Sequence, residues 1–197
     1  MNFLAHLWLA GPDEGARLGA VAGDFVKGAL PGDLPADIAG GVALHRAIDA
    51  FADSHPAFQR SRERVTGPHR RFAGVMVDMF YDHFLAAEWP IWHPGEALPD
   101  YAARQYALLA AHRHRLPARA APVVARMAEH DWLSSYREVD SIVYALDRIA
   151  RRLKRPDAFL GCGEALRTHY AGFGEDAVAF LADAQAFARR FKTPQGG

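Results

Sequence analysis

Apolar residues recur along this chain at intervals of three and four, and a two-residue alternation never holds over a useful length. That rhythm predicts helices rather than strands. Ala, Leu, Arg and Glu dominate, which are good helix formers, and prolines and glycines divide the chain into pieces. Helices are expected over 2–10, ending at Gly11-Pro12, and over 15–28, ending before LPGDLP. Others are expected over 35–53, over 56–67 with Pro56 in the first turn, and over 69–88. The stretch PIWHPGEALPD, 90–100, reads as the clearest loop. Further helices follow near 100–114, 118–130, 135–153, 157–170 and 174–191. No internal repeat and no flexible linker interrupts this series. The expected fold is therefore all-α, a single compact multi-helix domain over 1–192, with TPQGG at 193–197 as a frayed tail.

Composition narrows the function classes. Half of the 197 residues are hydrophobic and 23% are charged, the balance of a globular chain. Lys and Arg total 23, as do Asp and Glu, so no general nucleic-acid coat is expected. Cys162 is the one cysteine, which excludes an intrachain disulfide and a zinc site built from several thiolates. The opening MNFLAHLWLAGPDEG is apolar but short and lacks the basic leader of a signal peptide. No apolar run reaches the length of a membrane helix. The expectation is a soluble, cytoplasmic protein that binds neither nucleic acid nor membrane.

Candidate chemistry lies in the first 90 residues, where acids and histidines interrupt apolar helical faces. Asn2 and His6 are four apart, and Asp24 sits inside GAVAGDFVKG. His45, Asp49 and Asp53 follow at steps of four in LHRAIDAFAD. Asp78, Asp82 and His83 lie within VDMFYDHFL. A spacing of four stacks side chains on one helix face. Such groups beside an apolar stripe belong to the edge of the core or to a cleft. Carboxylates gathered there repel one another unless a cation joins them. Carboxylate and imidazole donors without thiolates suit Mg²⁺, Mn²⁺, Fe or Zn²⁺.

Taken singly, each residue has a plain structural reading. A helical His-Asp pair is usually a hydrogen-bonded pair, and His6 alone is a satisfied buried histidine. Asp24 follows a glycine and suits a helix cap. Asp53 precedes Ser54-His55-Pro56 and suits the cap of the next helix. His112 and His114 belong to a solvated basic stretch. What favours a site is recurrence, because four separate segments each offer such a group in an apolar frame.

The segments MNFLAHLWLA, GAVAGDFVKG, LHRAIDAFADSHP and VDMFYDHFLAAEW, in this order, resemble the acyl carrier protein phosphodiesterase family. The resemblance covers about residues 1–90 and continues in helical character and in WLSSYREVDSI at 132–142. It implies an all-helical fold distantly related to the HD-type metal phosphohydrolases. It implies a hydrolase dependent on Mn²⁺ or Mg²⁺ that removes 4′-phosphopantetheine from the serine of holo acyl carrier protein. It matches Asp24, His45 with Asp49, Asp82 with His83, and His6 to the family's acid and histidine elements. Three positions depart from the family pattern: Ala47 stands where a second arginine follows LHR, Glu88 stands where histidine is usual, and Trp8 replaces another residue type.

Phosphodiester hydrolysis requires a nucleophile, neutralised phosphoryl oxygens and help for the leaving alkoxide, and a bound metal supplies the first two. The expected metal set is His6, Asp24, His45, Asp49, Asp78, Asp82 and His83. Asp24, His45 and Arg46 are the expected catalytic groups, with Arg46 on a phosphoryl oxygen and Lys27 as a further cation. An acidic carrier would be steered by a positive patch, for which RSRER at 60–64, HRR at 69–71 and RRLKR at 151–155 are candidates. Two other readings stay open. One is an HD-like phosphohydrolase acting on nucleotides or other small phosphoesters. The other is a helical metal-binding protein without hydrolytic activity, although the Glu-x-x-His repeat of di-iron bundles is missing.

Overall fold

A computed structural model describes residues 2–151 and 160–192. All regular structure among them is helical, with no strand. The α-helices are α1 (Phe3–Ala10), α2 (Glu14–Ala22), α3 (Ala36–Ser54), α4 (Pro56–Arg64), α5 (Ala73–Ala87) and α6 (Trp89–Trp92). They continue with α7 (Leu98–Ala111), α8 (Ala121–Glu129), α9 (Trp132–Ser135), α10 (Val139–Ala150), α11 (Glu164–Thr168) and α12 (Tyr170–Lys192). No helix among the described residues is long and apolar enough to cross a membrane.

Several boundaries differ from the sequence expectation, each for a local reason. The second helix stops at Ala22 rather than 28 and gives way to a 3-10 turn, Gly23–Phe25. The chain beyond it is held open by Arg46, whose guanidinium donates to the carbonyls of Val26 (3.1 Å) and Gly28 (2.8 Å). The fifth helix starts at Ala73 rather than 69, because Gly67–Phe72 forms a 3-10 turn entered through Gly67 at φ +63° and Pro68. The expected loop at 90–100 holds the single turn α6, with Pro90 early in it where its missing N–H costs nothing. The helix expected over 135–153 starts late, at Val139, and a separate short helix precedes it. Asp131, in the left-handed region at φ 42°, caps α9 by accepting from Ser134 N, and α10 starts afresh at Val139. The last helix begins at Tyr170, four residues early. The TPQGG tail, most of RRLKR and the start of the 157–170 helix lie outside the described residues.

Two glycines set the closest helix contact. A Cβ on Gly19 of α2 would lie 2.5 Å from the backbone of Gly41, and one on Gly41 of α3 would lie 2.7 Å from the carbonyl oxygen of Ala16. No side chain larger than hydrogen fits at either point, so α2 and α3 touch backbone to backbone. The long α12 crosses α3, α4 and α5, and buries Phe173 against Phe80 and Phe180 against Phe58 and Tyr81. One buried acid locks this crossing. Asp176, 2% exposed, accepts from Arg60 Nε (2.9 Å), from Ser61 Oγ (3.1 Å) and from Arg64. Arg62 meets Asp53 at 3.4 Å. Each arginine of the RSRER segment thus faces an acid, Arg60 and Arg64 on Asp176 and Arg62 on Asp53.

Gly41→Ala should force α2 and α3 apart. We expect a loss of about 1–3 kcal/mol in urea-induced unfolding; unchanged stability would show that the helices are not in backbone contact.

Candidate metal centre

Three elements deliver one cluster. His6 comes from the second turn of α1, Asp24 from the 3-10 turn after α2, and His45 with Asp49 from successive turns of α3. His6 Nε2 lies 3.2 Å from Asp49 Oδ1, and His45 Nε2 lies 3.3 Å from Asp49 Oδ2 and 3.7 Å from Asp24 Oδ1. The two imidazole rings stack, with centroids 3.7 Å apart and planes 10° from parallel. Ligand-type atoms of His6, His45 and Asp49 all fall within 4.8 Å of one another. The imidazoles are buried, whereas Asp49 and Asp24 reach outward with side chains 44% and 46% exposed. They open into a cleft of about 250 Å³ that Asp53, Asp78, Phe58 and Gly74 also line.

His45 Nδ1 is 2.8 Å from the carbonyl oxygen of Ala20. A carbonyl only accepts, so Nδ1 carries the proton, and the lone pair of a neutral His45 points from Nε2 at Asp49 and Asp24. That leaves a lone pair facing two carboxylates, which only a proton or a metal cation makes favourable. Burial is the largest influence on His45 and opposes charging, but Asp49 and Asp24 outweigh it and raise its pKa above the ordinary histidine value. Burial holds His6 down to about 3, and the neighbouring His45 works in the same direction. Two stacked imidazoles cannot both be charged cheaply, so the pair keeps His6 neutral. Nε2 of His6 lies against Asp49, and its Nδ1 is buried without a hydrogen bond among the described residues. Asp49 stays ionised well below the usual carboxylate range; burial opposes this, but His45 and His6 prevail. Burial raises Asp24 and Asp78. A neutral imidazole with an unused nitrogen, a second with its lone pair directed by a backbone carbonyl, and an ionised carboxylate together suit a divalent cation.

A glycine missed in the sequence makes room for this arrangement. A Cβ on Gly23 would lie 2.3 Å from His45 Cγ. Gly23 is therefore the cradle of the imidazole, and the GDF triplet is no helix start: Asp24 stands at the end of α2 rather than capping a new helix. The only signal available was the glycine beside Asp24, which equally fits a cap.

The structure does not bring Asp82 and His83 into the cluster. Asp82 is fully buried, and its two oxygens accept the backbone N–H groups of Leu4 (2.8 Å) and Ala5 (3.0 Å) at the start of α1. It replaces the missing side-chain cap of that helix, since Asn2 provides none. Burial pushes its carboxyl up to about 7, against the pull of the two N–H donors. His83 Nδ1 donates to the Tyr136 carbonyl (2.9 Å), and its Nε2 meets the Tyr170 hydroxyl at 2.9 Å. It thus ties α5 to the chain after α9 and to α12. Asp53 does not cap α4; His55 does, with Nδ1 accepting from Ala57 N at 3.2 Å. Arg46 donates to the loop after Asp24 from both terminal nitrogens, and Lys27 is exposed on that loop.

Comparison with known proteins adds a separate line. The family model described as acyl carrier protein phosphodiesterase matches residues 1–184. A protein of that name from Yersinia pestis is 33% identical over 170 residues, which is 86% of this chain and 88% of that protein. One from Photorhabdus laumondii is 32% identical over 88% of this chain and 87% of its own length. One from Klebsiella pneumoniae is 35% identical, with coverages of 86% and 88%. No solved structure matches the chain, so the kinship with HD-type phosphohydrolases remains an implication of the sequence resemblance.

Two measurements follow. Asp82→Asn keeps one acceptor for two buried N–H donors and should lower stability by about 1–3 kcal/mol. Wild-type stability in urea with the amide in place would return Asp82 to the candidate ligands. His6 has a depressed folded pKa, so its contribution is complete above about pH 6.5 and is lost as the pH falls toward 3. In chelator, the stability of the wild type relative to His6→Gln should therefore drop by about 1.4 kcal/mol per pH unit across that window. A pH-independent difference would show that His6 titrates as an ordinary histidine.

Proposed function

The chain belongs to the acyl carrier protein phosphodiesterase family, and from that premise we propose that it cleaves holo acyl carrier protein. The bond hydrolysed is the phosphodiester between 4′-phosphopantetheine and the carrier's serine, and the reaction depends on a divalent metal, Mn²⁺ or Mg²⁺. The observation that carries the reading is the meeting of His6, His45 and Asp49 ligand atoms within 4.8 Å at an acid-lined cleft. An anionic phosphodiester entering among Asp24, Asp49, Asp53 and Asp78 would otherwise meet only like charge. A cation held by His6, His45 and Asp49, with Asp24 and Asp78 at its edge, would act as a Lewis acid and lower the pKa of a bound water.

The chain's own residues have distinct tasks in this scheme. Asp49 is the ionised acid that both imidazoles face. His45 is fixed in one tautomer by Ala20, so Nε2 is always the nitrogen presented. Asp24 is half-exposed at the cleft with its carboxylate 3.7 Å from His45 Nε2, where it can orient the group that hands a proton to the serine oxygen as the ester bond breaks. Arg46 acts on Asp24 from behind by fixing the loop at Val26 and Gly28.

Among the described residues, the basic segment nearest the cleft is HRR at 69–71, which would meet the carrier protein. Arg70 and Arg71 are exposed on the 3-10 turn that leads to Gly74 on the cleft wall, and neither pairs with an acid among the described residues. An acidic carrier approaching that turn brings its modified serine to the cleft. The setting is the cytoplasm, where fatty acid synthesis on carrier proteins takes place.

The test incubates holo carrier protein with enzyme in Mn²⁺, Mg²⁺ or chelator and reads the carrier's mass. Loss of the phosphopantetheine mass with metal and none with chelator is expected. Asp49→Ala should lower the rate by at least about a hundredfold with helical content unchanged. Hydrolysis of nucleotides in preference to the carrier, or full activity in Asp49→Ala, would overturn the reading.

A further inference from the structure

Glycines in this fold have two structural uses. Gly19, Gly23 and Gly41 sit where a Cβ would strike a neighbour, and Gly67, among others, adopts a positive φ. Gly74 has neither reason. It is the second residue of α5, its φ lies outside the left-handed region, and a Cβ built on it meets nothing within 4 Å. Glycine at such a place weakens a helix relative to alanine, and packing supplies no compensating gain.

Gly74 leaves a gap in a wall of the acid-lined cleft. It lines that cleft with Asp78 of the same helix and with Asp49, Ala52 and Phe58 of α3 and α4. Gly74 and Asp78 share one face of α5, about 6 Å apart along its axis. Asp78 stands at the edge of the metal centre, so Gly74 lies one turn nearer the start of the helix. The 3-10 turn that carries Arg70 and Arg71 joins α5 at that end. Val75, the next residue, is 46% exposed. Along α5, bare backbone therefore separates the metal centre from exposed cations and an exposed apolar side chain.

The two substituents of the phosphodiester make different demands on this space. The cleft holds about 250 Å³, below the usual range for a whole small-molecule ligand. It admits the phosphate and the atoms nearest it, and not the full length of the arm. The arm is long and can leave the phosphate in any open direction. The serine is short. Three bonds separate phosphorus from its Cα, so the carrier's backbone has to come within roughly 4 Å of the phosphate. We propose that Gly74 determines specificity by seating the carrier's backbone at the modified serine. Its missing side chain lets polypeptide come close enough for the phosphodiester to reach the metal centre. The inference rests on the phosphodiesterase reading of that centre. Close approach of a backbone to its partner is a recognised use of glycine. Leucine at 74 would project from the face that carries Asp78 and hold the carrier's chain away, whereas alanine adds one methyl group to open space.

The two products of the reaction test the two sides of the phosphodiester without turnover. Apo carrier protein brings the serine, and free 4′-phosphopantetheine brings the arm. Calorimetry in Mn²⁺ should show that Gly74→Leu binds apo carrier at least about tenfold more weakly than the wild type does. Its affinity for 4′-phosphopantetheine should stay within about twofold, and its kcat/KM for holo carrier should fall about a hundredfold. Gly74→Ala should match the wild type in all three measurements. So should Gly40→Leu, at an exposed glycine of α3 that does not line the cleft. Gly74→Leu should melt within about 3 °C of the wild type; a larger drop would show that the space is packed and overturns the proposal. Unchanged affinity of Gly74→Leu for apo carrier overturns it as well. So does an equal loss for both products, which would place Gly74 on the path of the arm, and so does a wild type that does not bind apo carrier. The expected split in binding with no release of phosphopantetheine from holo carrier would instead sink the phosphodiesterase reading and leave the carrier seat in place.

Discussion

One buried carboxylate decides where the first helix of this protein sits. Asp82, at the centre of α5, holds the free N–H groups of Leu4 and Ala5. A helix start without a side-chain cap would otherwise bury unsatisfied donors, which native structures rarely tolerate. The helix dipole adds to the attraction, because the N-terminal end favours negative charge. His6 follows Ala5 by one residue, so fixing those two amides fixes its ring against His45. The opening turn of α1 is thereby part of the metal centre's framework, although its acid partner never enters the cluster.

The other half of the cluster depends on missing side chains. Gly19 and Gly41 bring α2 and α3 into backbone contact, and Gly23 leaves the volume that the His45 ring occupies. With the ring so placed, Ala20 accepts from Nδ1 and Nε2 is presented to the acids. Arg46 then holds the loop beyond Asp24 to the same helix that carries His45. Packing, tautomer and acid position are thus consequences of one tight pair of helices.

The electrostatics are unusual for a structural cluster. A stacked imidazole pair, one ring kept neutral by burial, stands behind carboxylates that the cleft shares with two more acids. By contrast, the Asp176 group resolves its charge completely with two arginines and a serine, and has nothing left to offer a ligand. The metal centre instead turns the Nε2 atoms of both imidazoles toward Asp49 and opens to solvent through half-exposed carboxylates. This difference separates a lock from a site, and it is why one acidic cluster anchors α12 while the other is the candidate for chemistry.

The chain's own order of residues determined the all-helical class, since three- and four-residue periodicity is that of helices, and it gathered His6, Asp24, His45, Asp49, Asp78, Asp82 and His83 as a group, from which folding removes Asp82 and His83. Spacing on one helix is enough to know that His45 and Asp49 share a face. Spacing cannot say which way α5 is turned against its neighbours. Asp78 and Asp82 are one turn apart, yet the first lines the cleft and the second caps α1. His83 projects about 100° further round and finds Tyr136 and Tyr170, residues more than fifty positions away. Arg46 and the RSRER arginines read as available cations until tertiary contacts supplied their acceptors. Local pattern names the residues able to do chemistry; the partners that satisfy or spare each one are distant in sequence, and only folding brings them into contact.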